Sequence, residues 1–323
     1  MEKKETRKIK EKPVVEAEKK PQPVEITYED VVKVLIDGYK EGASEETKKS
    51  FVALFSKYLK QEVAKQQIAE NYNLLILFDN TTLVKGDSDQ IYRAITVFNE
   101  NKKPLLLVLL SRGGEPGSAY LIGKLCQEFC NGKFIVAVPR HAKSAATLLA
   151  CAANEIHLGS LSELGPIDPQ IDEMPALGLK YSIEHIAGLV TKYPASSDMF
   201  AKYLKLSIEP IQIGYYERIA ESAMQYAEKL LNTHSNSLSN SPSEIATKLV
   251  YGYKDHDFVI DKTEAISIFG TNAVKSNTPE YKLANVIYNI FSKIETIAGA
   301  LDFRFYFIGS LDSEPNFIKK RRR

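Results

Sequence analysis

Leu105-Leu106-Leu107-Val108-Leu109-Leu110-Ser111-Arg112-Gly113-Gly114 is followed, one helix length later, by Phe134-Ile135-Val136-Ala137-Val138-Pro139-Arg140-His141-Ala142-Lys143-Ser144. Each opens on a short continuous apolar run and stops at polar, Gly or Pro residues. Such runs read as strands buried on both faces, as in a parallel sheet. Leu74–Phe78 has the same form, and Asp89–Asn99 and Gly117–Cys130 between the runs have helix length. This alternation of strand and helix predicts an α/β core. Parallel strands joined through a helix form a right-handed crossover, so their carboxyl ends share one sheet edge. As neighbours they would stand about 5 Å apart, with the Gly113-Gly114 loop and Ser144 facing one crevice.

That crevice has a chemistry. Adjacent glycines let backbone N–H groups turn toward a ligand without a Cβ in the way. Ser144 opens the apolar helical run Ala145–Ala153, where free N–H groups and the helix dipole favour a negative oxygen. A hydroxyl nucleophile would thus sit beside a two-sided oxyanion hole, with the N–H of Gly113 or Gly114 on one side and that of Ala145 on the other. Each donor of such a hole contributes about 2.7–4 kcal/mol in acyl transfer. The same residues also fit a plain N-cap and a plain turn. Ala142 and Ala146 stand where a G-x-S-x-G elbow carries glycines.

Composition narrows the class. The 323 residues are 44% apolar and 26% charged with a net charge of +1, which is ordinary for a globular chain. Residues 1–24 hold eight Lys/Arg and five Glu, and Lys319–Arg323 add five positive charges, leaving −7 on residues 25–318. A mildly acidic body argues against a dedicated nucleic-acid binder. A membrane span needs about 18 apolar residues in a row, far more than Leu105–Leu110 offers. The first thirty residues lack the apolar core of a signal peptide. Cys126, Cys130 and Cys151 lie in apolar segments; with no second ligand pair they read as core cysteines rather than a metal site. An odd thiol count without secretion predicts a cytoplasmic protein.

Residues 1–24 read as a solvated charged tail. Residues 25–71 read as a helical extension, with Phe51, Phe55, Tyr58, Leu59 and Val63 on one stripe, suited to an interface or to the chain's own core. Ser241-Pro242-Ser243-Glu244 and Asp261–Glu264 are helix starts, ended by Gly252 and Gly270. Residues 276–318 read as a helical C-terminal segment and 319–323 as a basic tail. His234 falls in the Asn/Ser-rich stretch Asn232–Ser241, which reads as a mobile loop.

Ser111-Arg112-Gly113-Gly114, then Val138–Leu148, then Leu164-Gly165-Pro166-Ile167-Asp168-Pro169-Gln170 resemble the serine dehydrogenase proteinase family. That family is grouped with the Clp peptidases and signal peptide peptidase A in the Clp/crotonase superfamily. The likeness spans about Tyr72 to Asn285 and includes Lys192-Tyr193-Pro194 and His256-Asp257-Phe258-Val259-Ile260. It implies a Clp/crotonase-like core over residues 72–275, a homo-oligomer, a peptide or protein substrate, and no metal or organic cofactor. By resemblance Ser144 is the nucleophile and Gly113-Gly114 the oxyanion loop. The base is open, because a serine hydroxyl needs one and the Clp histidine position falls near Asp168. Asp168 could orient or substitute. His256 is one candidate base, with the triad acid of Clp peptidases falling near Asp257. Lys192 is the other, on the Ser-Lys pattern of signal peptide peptidases, which requires a buried lysine. Lys143 should point away from Ser144, toward an anionic group. Two further classes stay open: a crotonase-like acyl-CoA enzyme, which needs no serine, and a non-catalytic scaffold.

Overall fold

The computed structural model describes residues 25–98, 102–171, 174–207 and 210–320. The charged tail 1–24 and Arg321–Arg323 of the basic tail lie outside the described residues. Two helices, α1 (Tyr28–Tyr39) and α2 (Glu45–Ala64), lead into β1 (Asn73–Asp79), α3 (Lys85–Thr96), β2 (Leu105–Ser111), α4 (Pro116–Phe129) and β3 (Phe134–Val138). Next come β4 (His141–Ala142), α5 (Ala145–Ala150), β5 (Glu155–Leu158), β6 (Glu163–Leu164) and the small hairpin β7 (Gln170–Ile171) and β8 (Met174–Pro175). Helices α6 (Ala176–Lys192), α7 (Ser197–Ser207), α8 (Pro210–Leu231), α9 (Pro242–Tyr251) and α10 (Lys262–Phe269) follow. Then come β9 (Val274–Ser276), α11 (Pro279–Ala300), β10 (Phe303–Ser310) and β11 (Asn316–Lys319).

The main sheet runs β11-β10-β1-β2-β3-β5-β9. Strands β1, β2, β3, β5 and β9 are parallel, in register through pairs such as Leu75↔Leu107 and Leu107↔Val136. The unbroken apolar runs follow from this placement, because successive side chains point to opposite faces and both faces are covered. Leu75, Leu77, Leu107 and Val136 pack under α3, α4, α5, α8, α9 and α10. Leu74, Ile76, Phe78 and Leu106 pack on α1, α2 and α11. The stripe on α2 therefore serves the chain's own core. Ser241 and Asp261 cap α9 and α10 through the backbone N–H of Glu244 and Glu264.

Two expectations are corrected. Residues 276–318 are not helical throughout: β10 pairs antiparallel with β1, and β11 with β10. The physical reason is the period-two pattern Phe303-x-Phe305-x-Phe307, whose rings insert beneath the sheet beside Phe55, Phe78 and Phe291. His234 is not on a mobile loop. Residues Asn232–Ser237 form a 3₁₀ helix, and the buried His234 ring meets the Cys151 carbonyl at 3.0 Å.

Phe291 contacts Phe78 at 5.3 Å and Phe305 at 5.4 Å between ring centroids. Truncating this fully buried ring leaves a cavity at the junction of α11 and the sheet. Phe291→Ala is expected to lower the unfolding free energy by about 3–5 kcal/mol, read by urea denaturation. A loss below about 1 kcal/mol would contradict the packing described.

Candidate active site

Strand β2 does not end its pairing on this side at Val108, where its register with β3 stops. Ser111 faces Ala142 in parallel register, and the Lys143 N–H donates to the Ser111 carbonyl at 3.0 Å. This pairing carries the chain of Ser144 onto the diglycine loop. A Cβ on Gly113 would fall 2.6 Å from the Lys143 carbonyl oxygen and 2.9 Å from both Ala145 N and Ser144 Cβ. Contact that close admits only glycine, and the φ of +99° at Gly113 and +149° at Gly114 adds to the restriction.

Gly114 forms a parallel bridge with Leu83. The Leu83 N–H donates to the Gly113 carbonyl at 2.8 Å, and the Glu115 N–H donates to the Leu83 carbonyl at 2.9 Å. Because the flanking groups make both bonds, the N–H of Gly114 itself points to the opposite side. The N–H of Gly113 donates to Ser111 Oγ at 3.1 Å and is committed. Ala145 is the first residue of α5, so its N–H has no intrahelical acceptor. Among the described residues, neither the Gly114 nor the Ala145 amide donates to a backbone acceptor.

Ser144 has φ +50° and ψ −119°, a left-handed value rare outside glycine. Its side chain makes no capping bond to α5, so the plain N-cap reading fails and the hydroxyl is left to the cleft. Thr147 braces the turn: its Oγ1 donates to the Ala142 carbonyl at 2.7 Å and accepts from the Gly165 N–H at 3.1 Å. Sequence reasoning did not single out Thr147; its place three residues into the helix carries no distinguishing pattern.

Ser144, Gly113, Gly114, Ala145, Gln170 and His256 line one cleft of about 740 Å³. Asp168 stands behind His256, with Oδ2 3.8 Å from His256 Nδ1. The Asp168 side chain raises the His256 pKa above its ordinary value, burial opposes that rise, and the charge of Asp257 adds to it. Gln170 sits at the same junction, with Nε2 3.0 Å from Asp168 Oδ2 and 3.1 Å from His256 Nδ1. Gln170 closes one of the sequence blocks quoted above, yet its residue type alone suggested no role.

The remaining candidates lie elsewhere. Asp257 is exposed and lines an adjoining cavity of about 440 Å³ instead of the Ser144 cleft. The carboxylate facing His256 Nδ1 is that of Asp168, at 3.8 Å. Lys192 ends α6 as an exposed residue, its Nζ 5.3 Å from the centroid of the neighbouring Tyr193 ring. A lysine base needs burial to shed its proton, so the environment of Lys192 is wrong for that role. Lys143 does turn away, to Glu163 Oε2 at 3.3 Å. His141 Nε2 meets Asn80 Oδ1 at 2.9 Å, and burial lowers its pKa, with the positive charge of Arg112 assisting.

A serine on a strained strand-to-helix turn, at the edge of an α/β sheet and beside main-chain donors, is the layout of the serine hydrolase class. More narrowly, the chain belongs to the family of ClpP-like SDH-type serine proteinases, whose model matches residues 70–286. Two uncharacterised proteins of Methanocaldococcus jannaschii are each 28% identical to it, over 194 and 196 residues, or 60% of this chain. The matches span about three fifths of those relatives, 61% and 59% of their lengths. Among solved structures, a mutant of the 1510-N membrane-bound stomatin-specific protease is 13% identical with a TM-score of 0.40, covering 64% of this chain and 80% of that one. ClpP1 from Listeria monocytogenes is 14% identical with a TM-score of 0.41, covering 69% of this chain and 99% of that one. Among the described residues, no helix is long and apolar enough to cross a membrane.

Proposed function

We propose that the chain hydrolyses peptide bonds through an acyl-enzyme on Ser144. The Ser144 hydroxyl attacks the scissile carbonyl while His256 takes its proton, and Asp168 orients and stabilises the resulting imidazolium. The amides of Gly114 and Ala145 hold the oxyanion of the tetrahedral intermediate. His256 then returns the proton to the leaving amine, and water repeats the sequence on the ester. A peptide or protein is the substrate, and the working form is a homo-oligomer, in keeping with the Clp-like family.

One observation carries this reading: the Ser144 turn is packed on Gly113 so that a hydroxyl free of capping duty sits beside two uncommitted amides. His256 in the Ser144 cleft, with the Asp168 carboxylate behind it, favours hydrolysis over a crotonase-like acyl-CoA reaction, which uses the amides but needs neither hydroxyl nor base. It likewise favours an enzyme over a scaffold. The test is a fluorophosphonate probe followed by peptide mapping. The expected result is one phosphonyl adduct on the peptide that contains Ser144, absent in Ser144→Ala. No adduct, together with binding of coenzyme A, would replace the reading with the acyl-CoA one.

A further inference from the structure

Gln170 stands between the two groups that a proton relay needs in contact. Its Nε2 lies 3.0 Å from Asp168 Oδ2, 3.3 Å from the Asp168 carbonyl oxygen and 3.1 Å from His256 Nδ1. His256 Nδ1 and Asp168 Oδ2 are held at 3.8 Å, beyond hydrogen-bond reach. The other carboxylate oxygen, Asp168 Oδ1, is buried and accepts no hydrogen bond among the described residues.

Chemistry fixes which end of the amide faces this junction. A carboxylate and a carbonyl only accept, so the Gln170 atom beside them is the NH₂ group. An NH₂ group only donates, which makes His256 Nδ1 the acceptor. The single proton of the neutral imidazole then resides on Nε2. That tautomer cannot receive the Ser144 proton, because a general base needs a bare Nε2 on the serine side.

We infer that Gln170 is a positioning residue that keeps His256 in the Nε2–H form until a peptide in the cleft draws its amide away. The inference rests on the peptidase reading above for its purpose, but the geometry stands apart from it. Gln170 lines the same cleft as Ser144, so a main-chain carbonyl of a bound peptide competes for the Nε2 hydrogens. Once the amide leaves, the imidazole yields its Nε2 proton to water and takes one from water at Nδ1, with no net proton exchanged. Asp168 then accepts the Nδ1–H, for which the idle Oδ1 is a ready second acceptor. Substrate thereby completes the relay it is cleaved by, and the empty site stays quiet.

The experiment uses the full chain labelled with ¹⁵N-histidine, observed by NMR on the alkaline plateau of the His256 titration, where the ring is neutral. The wild-type His256 nitrogens should report the Nε2–H tautomer, and Gln170→Ala should convert them to Nδ1–H. Gln170→Met, which keeps the volume and removes the donor, should do the same and guards against a packing artefact. Without substrate, both variants should accelerate fluorophosphonate labelling of Ser144 by about 3- to 10-fold, the factor carried by one hydrogen bond of ordinary strength. An unchanged tautomer in both variants, or slower labelling, would overturn the inference. A switched tautomer with no labelling in any form leaves the role of Gln170 standing and removes the peptidase reading instead.

Discussion

His256→Ala and Asp168→Asn are each expected to cut peptide hydrolysis by about 10⁴-fold or more, the loss seen when one member of a cooperating relay is removed. Losing His256 leaves the Ser144 proton without an acceptor. Losing the Asp168 charge leaves the imidazole in place but without the group that selects its tautomer and stabilises its cation. Asp257→Asn and Lys192→Ala should stay within about twofold of wild type, since neither lines the Ser144 cleft. The pH profile gives the same ranking by a separate route. His256 must be neutral to act as base, so kcat/KM falls as pH drops through its pKa. Asp168 raises that pKa above the ordinary value, which puts the acidic limb above about pH 6.5. Asp168→Asn removes the raising group, so its residual activity should show the limb at lower pH. A fluorogenic peptide assayed from pH 5 to 9, with circular dichroism confirming the fold, measures both effects. Full activity in His256→Ala with loss in Lys192→Ala would assign the proton transfer to lysine.

The relay shows where a one-dimensional reading stops. The α/β core, the shared sheet edge and the meeting of Gly113 with Ser144 were all legible, because apolar run length, crossover handedness and glycine placement are local or topological facts. His256 and Asp168 were among the sequence candidates, but the choice between them and Lys192 or Asp257 was not legible. By resemblance the histidine position fell near Asp168 and the acid near Asp257, yet the chain carries its carboxylate at the first place and its imidazole at the second. A proton relay is defined by contact, so the two groups can exchange places in chain order and keep the same junction. Chain order therefore could not choose between Asp168 and Asp257; the 3.8 Å approach of Asp168 to Nδ1 is what favours Asp168 in the relay proposed above. The strands β10 and β11 were missed for a different reason. The long helical pattern of α11 runs up to Ala300, and the aromatic alternation after it is only three residues deep. That alternation becomes decisive only when β1 offers an open edge for it to pair with.

Gly114→Ala is expected to combine a folding defect with a catalytic one, and the two can be separated. The added Cβ would lie 2.9 Å from Leu83 Cα and closer still to the Leu83 backbone N and O, at a φ of +149°. Backbone cannot yield as a side-chain tip does, so either the loop or the strand segment at Leu83 must move. The cost is about 2–4 kcal/mol of stability, visible as a lower urea midpoint. Movement of the loop also swings the Gly114 amide away from Ser144, and losing one oxyanion donor costs about 10²- to 10³-fold in kcat. Gly113→Ala should behave alike, since its Cβ would strike the Lys143 carbonyl. Gly117→Ala is the control: nothing lies within 4 Å of its added carbon, and in helix α4 alanine should hold or raise stability by up to about 1 kcal/mol. Rates are to be compared under conditions where dichroism shows each variant folded, so that the unfolded fraction does not enter. Wild-type turnover in a folded Gly114→Ala chain whose urea midpoint is also unchanged would contradict the packing of this loop against Leu83, and with it the oxyanion placement argued from that packing.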